Sequence, residues 1–348
     1  MSRQERRAEP SGEGQPRPGA PALITGATSG LGRSLARALA AGGWTVLVHG
    51  RDESRCAAVV EELRAAGGTA YPYLADLSSL GEAAELGRRV AAEHPSLGLL
   101  VNNAGVGAGR DARRRAVSRD GYELRFAVNY LAPVVLTHAL RAPLRAAGSA
   151  QVLNIGSIGQ SPVDPDDVQF TRRYDGMEAY TRSKFALAAF TFTIAEEYAC
   201  DGIRVNCVHP ANYMDTTMVT EAGVRPWSSV EEGTKAVLHA IDEGARGASG
   251  QYYNESRRAK AHRLAYAAET QRRLTSLTDQ PSLPHRTQAA RSGERRTQGG
   301  PGCLHTRARP AFQSSWTSAS RWSGKRSPAK APAGAISSTR RRTRRRSA

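Results

Sequence analysis

A glycine-rich turn follows the first apolar segment of the chain. Residues 22–25 (ALIT) are short and apolar, as buried parallel strands are. They run into GATSGLG at 26–32 and then into an Ala- and Leu-rich helix from about residue 33 to 41. In this order of strand, turn and helix, backbone N–H groups and the helix dipole bind a pyrophosphate. The alternative is a tight turn without a ligand, and the position directly after the first strand argues against it.

Strand and helix patterns alternate along the body of the chain, which we assign to residues 20–279. We predict an α/β fold, a single doubly wound parallel sheet of about seven strands with helices on both faces. The predicted strands are 22–25, 44–48, 69–75, 98–101, 151–155, 203–208 and 251–253. Residues 117–147 predict a long amphipathic helix that Pro133 kinks or restarts. Residues 255–279 predict a terminal helix packed on the domain.

The end of the second strand bears on the choice of dinucleotide. An acidic residue there binds a ribose 2′-hydroxyl, whereas a nearby arginine accommodates a 2′-phosphate. This chain has Gly50 followed by Arg51, and Arg33 opens the preceding helix. The pattern favours NADP(H) as cofactor, with NAD(H) as the alternative. It is also possible to explain both arginines as solvated surface charges that bind no cofactor.

Other turns at the carboxyl ends of strands complete the candidate cofactor site. Asp76 follows the third strand, where it could contact adenine, and Asn103 lies in the small-residue turn NNAG after the fourth. The predicted cofactor-binding residues are Gly26, Thr28, Ser29, Gly30, Leu31, Gly32, Arg33, Arg51, Asp76, Leu77, Asn103, Ala104, Gly105, Tyr180, Lys184 and Pro210.

Tyr180 and Lys184 are the strongest candidates for acid–base chemistry. Their spacing of four places both side chains on one face of a predicted helix. Bringing a tyrosine from its usual pKa of about 10 to neutrality takes roughly 3 units, or about 4 kcal/mol, and a nearby ammonium supplies part of it. Ser157, just after the fifth strand, could hydrogen-bond a substrate oxygen or simply cap the strand. Asn129 falls just before Pro133, where freed backbone groups could bind water.

These motifs together resemble the short-chain dehydrogenase/reductase family. Residues 25–32 (TGATSGLG) are similar to its T-G-x-x-x-G-x-G motif, and NNAG at 102–105 matches its second signature. The four residues Asn129, Ser157, Tyr180 and Lys184 follow the order of its catalytic tetrad. The segments DGYELRF at 120–126 and VNYLAP at 128–133 resemble its retinol-dehydrogenase-like and WW-domain-oxidoreductase-like branch.

The resemblance implies a Rossmann-type fold and an oxidoreductase that moves a hydride between a nicotinamide cofactor and a carbonyl or alcohol. It implies that Tyr180 is the general acid in reduction and the base in oxidation. It further implies that Lys184 lowers the pKa of Tyr180 and holds the nicotinamide ribose, that Ser157 orients the carbonyl, and that Asn129 anchors a water.

Two departures from the family pattern stand out. Ser157 and Tyr180 are separated by the 22 residues 158–179, a long spacing that is usual in the retinol-dehydrogenase-like branch. The family commonly has glycine after Pro210, and this chain has Ala211, so the turn into the substrate loop is expected to differ.

The basic charge of the chain is concentrated at one end. Residues 1–279 carry 33 Lys and Arg against 31 Asp and Glu, whereas residues 280–348 carry 16 against 1. We expect a disordered N-terminal extension over 1–19 and a disordered, low-complexity basic tail over 280–348. Such a tail could bind nucleic acid or anionic lipid. The favoured alternative is that it has no specific role, for example as an out-of-frame translation of a GC-rich gene.

Several classes of site are not indicated. The cysteines lack metal-ligand or disulfide spacing, so no metal is predicted and a reducing cytoplasm is the expected compartment. Residues 1–19 lack the apolar core of a secretory signal, and no stretch is apolar enough to span a membrane. The four cysteines of the chain are Cys56, Cys200, Cys207 and Cys303.

The predicted partner is a small carbonyl or alcohol. Met214, Met218 and Trp227 in the segment 211–228 suggest a partly apolar pocket, and assembly into a homo-oligomer is left open. Two other functions also stay open. One is a sugar epimerase or dehydratase using the same Tyr/Lys pair, and the other is a non-catalytic cofactor-binding or nucleic-acid-binding protein.

Overall fold

The computed structural model describes residues 20–278, which are organised around one eight-stranded sheet. The predictions for residues 1–19 and 280–348 lie outside the described residues. The strands are β1 (Pro21–Ile24), β2 (Thr45–Gly50), β3 (Thr69–Leu74), β4 (Leu99–Asn102), β5 (Ala150–Ile155), β6 (Ile203–His209), β7 (Tyr252–Asn254) and β8 (Arg257–Ala259). Their order across the sheet is β3-β2-β1-β4-β5-β6-β7-β8.

The predicted parallel sheet is confirmed, and β8 is an addition to it. Strands β1 to β7 pair in parallel, and β8 pairs antiparallel with β7. Residues 257–259 were expected in a helix, but Glu255, at φ 55°, reverses the chain directly after β7 and makes a hairpin instead. Because β8 is an exposed edge strand, its arginines remain in solvent and disfavour pairing with another sheet.

Helices cover both faces of the sheet. They are α1 (Gly30–Ala41), α2 (Glu53–Ala65), α3 (Leu80–Glu93), α4 (Leu124–Phe126), α5 (Ala132–Ala139), α6 (Arg141–Ala146), α7 (Gly176–Glu197), α8 (Thr217–Glu221), α9 (Val230–Ala245) and α10 (Ala268–Thr278). Helices α1, α2 and α9 share one apolar core with the sheet, and α3, α5 and α7 share the other. This two-sided burial explains why the central strands are mostly apolar.

Helix α7 lies deep in the second core and is covered by the C-terminal end of the described chain. Tyr266, just before α10, stacks on Phe192 of α7 with ring centroids 4.2 Å apart. Leu274 of α10 is buried against the same core. The predicted terminal helix therefore packs on the domain, although it begins only at Ala268.

The long helix predicted for residues 117–147 is divided into shorter pieces. A single π-helical turn, Ala127–Leu131, separates α4 from α5 and contains Asn129. Pro133 lies in the first turn of α5, directly after the π-turn, and has no N–H to donate to a carbonyl group of that turn. Single π-turns are frequent at functional sites because they redirect a side chain within a helix.

Candidate active site

The glycine turn and the turn after β4 are tied together. Thr25 Oγ1 accepts hydrogen bonds from the backbone N–H groups of Asn103 at 2.9 Å and Ala104 at 3.0 Å. The Asn103 amide donates back to the carbonyl oxygens of Thr25 at 2.8 Å and Gly26 at 3.1 Å. The two motifs, 77 residues apart in the chain, thus form one rigid groove edge.

The glycines of this turn leave a cradle that side chains would fill. Gly26 and Gly30 have φ values of 65° and 47°, the left-handed region that favours glycine. A Cβ on Gly32 would lie 2.2 Å from the Gly26 carbonyl oxygen and 2.6 Å from the Asn103 amide nitrogen. Thr28 is partly buried and Ser29 is exposed, at the start of α1. The cradle therefore fits the close approach of a dinucleotide pyrophosphate to a helix N-terminus.

The two candidate arginines for a 2′-phosphate differ in their surroundings. Arg33 forms an ion pair with Glu62 of α2, which also pairs with Arg37. Arg51 is exposed and has no ion-pair partner within residues 20–278. A Cβ at Gly50 would lie 2.5 Å from Thr28 Cγ2 and 2.8 Å from Cys56 Sγ, so this position has no room for an acidic side chain.

The remaining predicted cofactor residues line the same edge. The Asp76 carboxylate accepts from the N–H of Ser78 at 3.0 Å in the turn after β3. The side chains of Leu31 and Leu77 are buried in the core, so these residues can offer only backbone atoms to a ligand. Pro210 is buried directly after β6.

Helix α7 and strand β5 bring the catalytic candidates together. Lys184 is 4% exposed, and its Nζ donates to the Ile155 carbonyl oxygen at 2.8 Å, two residues before Ser157. The same Nζ lies 5.9 Å from the centroid of the Tyr180 ring. A Cβ on Gly105 would lie 3.7 Å from this Nζ, so the lysine also borders the turn after β4.

Ser157 is held through its backbone. Its carbonyl oxygen accepts from the Gln160 side-chain amide at 2.8 Å and from the Tyr252 hydroxyl at 2.9 Å. Its own hydroxyl oxygen accepts from the N–H of Gly159 at 3.1 Å. Sequence reasoning missed both partners. Tyr252 lies on a distant strand and leaves no local pattern, and Gln160 lies in an irregular loop with no periodicity to single it out.

Burial acts on the pKa of both Tyr180 and Lys184. It raises the pKa of the Tyr180 phenol, and a hydrogen bond with Ser157 acts in the opposite direction. Burial also lowers the pKa of Lys184 to about 8. The lowering of the Tyr180 pKa by Lys184, whose Nζ donates to Ile155, stays a prediction.

Asn129 fastens the turn after β4 to helix α7. Its carbonyl oxygen accepts from the N–H of Val106 at 2.7 Å, and its amide donates to the Val106 carbonyl at 3.0 Å. The amide also donates to Ser183 Oγ at 2.9 Å, and that hydroxyl donates to the Tyr180 carbonyl oxygen at 2.7 Å. The Asn129 side chain therefore holds the turn after β4 against α7. Because its amide is engaged in these bonds, a water anchored at Asn129 would have to bind backbone groups of the π-turn.

A buried charge network supports the same turn. Arg125 donates to the carbonyl oxygens of Gly107 at 2.9 Å and Ala108 at 2.6 Å. It forms an ion pair with Glu123 at 3.2 Å, and both side chains are 4% exposed or less. The Tyr174 hydroxyl bonds both charged groups, which links the loop before α7 to the network. The only sequence signal for it was the family-like segment 120–126.

The segment after β6 lies over the groove. A Cβ on Gly107 would lie 2.7 Å from Met218 Cγ, and one on Gly30 would lie 3.1 Å from Thr216 Cγ2. Trp227 is 75% exposed and contacts Tyr213 edge-on. Ala211 has no left-handed backbone, so alanine in place of the family glycine causes no strain there.

Residues 20–278 lack two other functional features. This part of the chain contains no group of three or more His, Cys, Asp and Glu side chains arranged to hold a metal ion. It also contains no helix long and apolar enough to cross a bilayer.

Comparison with known proteins shows the family of this chain. The family model for short chain dehydrogenases matches residues 20–226. Mouse polyprenol dehydrogenase is 34% identical over 281 residues, covering 74% of this chain and 82% of that protein. Human retinol dehydrogenase 13 is 31% identical over 200 residues, covering 56% of this chain and 59% of that protein.

A solved structure supports the same relationship. A metagenomic short-chain oxidoreductase in complex with NADP superposes with a TM-score of 0.52 at 28% identity, covering 70% of this chain and 97% of that one. The resemblance to the retinol-dehydrogenase-like branch is thereby confirmed at the level of sequence. The chain belongs to the short-chain dehydrogenase/reductase family of oxidoreductases.

Proposed function

We propose that this protein interconverts a carbonyl and an alcohol with NADP(H) as hydride partner and Tyr180 as general acid and base. One observation carries the proposal: Tyr180, Ser157 and Lys184 meet beside Gly105, the turn that is hydrogen-bonded to the glycine cradle. The cradle provides the cofactor site, and the side chains that transfer and hold a proton lie at its open end.

The chain's own residues divide the work. Ser157 holds the substrate oxygen next to the Tyr180 hydroxyl, which gives up a proton in reduction and takes one in oxidation. Lys184 holds the ribose and places its positive charge beside the phenolate that reduction leaves. Asn129 keeps the turn after β4 in place through Val106. A bound nicotinamide supplies or accepts the hydride.

NADP(H) is the proposed cofactor for two reasons. Arg51 is exposed without an ion-pair partner among the described residues, and Gly50 leaves no room for the acidic residue that would bind a 2′-hydroxyl. The metagenomic relative was solved with NADP. Arg33 would contribute only if its guanidinium reached past Glu62.

The proposed substrate is an apolar carbonyl or alcohol. Met218 faces the groove, and Tyr213 and Trp227 present exposed aromatic surface on the same segment. Polyprenol and retinol, in the names of two relatives, are long apolar alcohols.

The test is a substrate panel run with the Tyr180→Phe variant. Wild-type protein should reduce apolar aldehydes or ketones with NADPH in preference to NADH. Tyr180→Phe should still bind NADPH through the glycine cradle but lose turnover, whereas Tyr71→Phe, at an exposed site, should match wild type. Near-wild-type turnover by Tyr180→Phe would refute the proposal that Tyr180 is the general acid and base.

A further inference from the structure

His49 is a buried side chain that the proposed chemistry does not use. It is 2% exposed and lies next to the carboxyl end of β2. Its Nδ1 is 3.1 Å from the backbone nitrogen of Gly26, and its Nε2 is 3.1 Å from the carbonyl oxygen of Ala75. One ring thus spans from the start of the glycine turn to the turn after β3.

The two partners fix the state of the ring. The N–H of Gly26 can only donate, so Nδ1 must present a lone pair. The carbonyl of Ala75 can only accept, so Nε2 must carry the proton. A single neutral tautomer satisfies both contacts. Burial lowers the pKa of His49 to about 4, which keeps the ring neutral at physiological pH.

The backbone of the same residue strengthens both attachments. The His49 carbonyl oxygen accepts from the N–H of Ala27 at 2.8 Å. The next carbonyl, that of Gly50, accepts from the N–H of Ala75 at 3.2 Å. His49 therefore accepts hydrogen bonds from two successive N–H groups of the glycine turn, those of Gly26 and Ala27. Together with Gly50 it also bonds both the N–H and the carbonyl group of Ala75.

The residues that His49 bonds, Gly26 and Ala75, lie on two sides of the proposed cofactor groove. Gly26 opens the turn that would hold the pyrophosphate, and it needs its left-handed backbone, at φ 65°, to do so. Ala75 directly precedes Asp76, the candidate contact for the adenine. The spacing between these two turns decides whether both halves of an ADP group are bound at once.

We propose that His49 is a positioning residue that sets the spacing of the glycine turn and the turn after β3, and so the affinity for the adenosine half of the dinucleotide. This inference rests on the proposed function only in taking the groove as a dinucleotide site. His49 does not touch the reacting atoms, so its removal should change binding and leave the chemical step intact.

The variants separate the two contacts. His49→Leu keeps the apolar bulk but removes both hydrogen bonds. His49→Asn keeps an acceptor near Nδ1 for Gly26, and His49→Gln keeps a donor that reaches toward Nε2 and Ala75. His94→Asn is the control, because His94 is half-buried against Tyr71 and Tyr73 on another part of the fold.

The measurement is equilibrium binding of NADPH and of 2′,5′-ADP, together with steady-state kinetics. His49→Leu should weaken both ligands by at least about tenfold, because it removes two buried hydrogen bonds and the loss of one such bond alone has an effect of about this size. At saturating NADPH its kcat should stay within about twofold of wild type. His49→Asn and His49→Gln should recover part of the affinity, and His94→Asn should bind as wild type does.

Two results would overturn the proposal. One is a folded His49→Leu protein that binds NADPH and 2′,5′-ADP as tightly as wild type. If His49→Leu does not fold, the Asn and Gln variants decide, and unchanged affinity in both overturns it equally. Failure of the proposed function looks different: either wild-type protein binds neither NADPH nor NADH, or Tyr180→Phe keeps near-wild-type turnover while His49→Leu still changes cofactor affinity.

Discussion

The Lys184 ammonium donates a hydrogen bond to the Ile155 carbonyl oxygen at 2.8 Å, which joins the helix that carries Tyr180 to the strand that delivers Ser157. The lysine is 4% exposed, so this contact satisfies a polar group that burial would otherwise leave unpaired. The geometry gives Lys184 a structural role in addition to any role in proton transfer.

Replacing Lys184 with methionine should therefore affect both roles. We expect kcat/KM to fall by roughly a hundredfold or more, the usual range for losing an acid–base group. NADPH binding should weaken as well, because the positive charge beside Gly105 is lost. Steady-state kinetics and cofactor titration would measure the two effects separately. Lys184→Met with unchanged kcat/KM would contradict this view.

Adding one methyl group to Gly32 should abolish cofactor binding. The new Cβ would clash with the Gly26 carbonyl at 2.2 Å and with the Asn103 amide at 2.6 Å, both parts of the groove edge. Gly81→Ala is the matched control, since its nearest neighbour is Ser79 Oγ at 3.6 Å, an ordinary contact. Titration with NADPH should show no binding by Gly32→Ala and normal binding by Gly81→Ala. Normal NADPH binding by both Gly32→Ala and Gly81→Ala would show that the glycine turn does not contact the cofactor closely.

Removing the charge of Arg125 should destabilise the protein strongly. Arg125→Met leaves Glu123 buried without its ion-pair partner, which typically costs about 3–5 kcal/mol of the free energy of unfolding. Urea denaturation would measure this loss. The double variant with Glu123→Gln should recover part of it, because no uncompensated charge then remains. A double variant no more stable than Arg125→Met would show that the ion pair is not the cause.

The neutral His49 ring should make the fold sensitive to acid. Burial lowers the pKa of His49 to about 4 in the folded state, so between pH 6.5 and 4 the unfolded state binds a proton that the folded state does not. Stability is therefore lost as pH falls through this window, by about 3 kcal/mol for a shift of this size. Urea denaturation of wild type and His49→Asn at pH 7 and pH 4.5 would test it. Parallel losses in the two proteins would rule out His49 as the source.

Deleting residues 280–348 should leave catalysis intact. The predicted catalytic and cofactor-binding residues fall between Gly26 and Pro210, and the other residues placed at the site end at Tyr252, within the described part of the chain. The kcat and KM of the truncated protein should match those of the full chain. Loss of folding or turnover would show that the basic tail contributes to the domain. Binding of the full chain, but not the truncated one, to nucleic acid or anionic vesicles at low salt would give the tail a role.

Much of the fold could be predicted because its signals are local. Short apolar runs such as residues 22–25 and 151–155 alternate with helical patterns, and both become central strands of the sheet. The hairpin at 257–259 was missed because the Arg-rich pattern there fits a helix as well as an exposed edge. Only the reversal at Glu255 decides between them.

For the site, the sequence by itself determined which residue types are available and in what order. The glycine turn, Asn129, Ser157 and the Tyr180/Lys184 spacing were all readable, because each depends on neighbours within one turn or strand. Only the tertiary structure decided what each polar group bonds to. Lys184 reaches Ile155 across 29 residues, and Arg33 is paired with Glu62 across 29. His49 joins Gly26 to Ala75. The physical reason is that a buried polar atom without a partner costs free energy, and the partners are brought close by the packing of strands and helices distant in the chain.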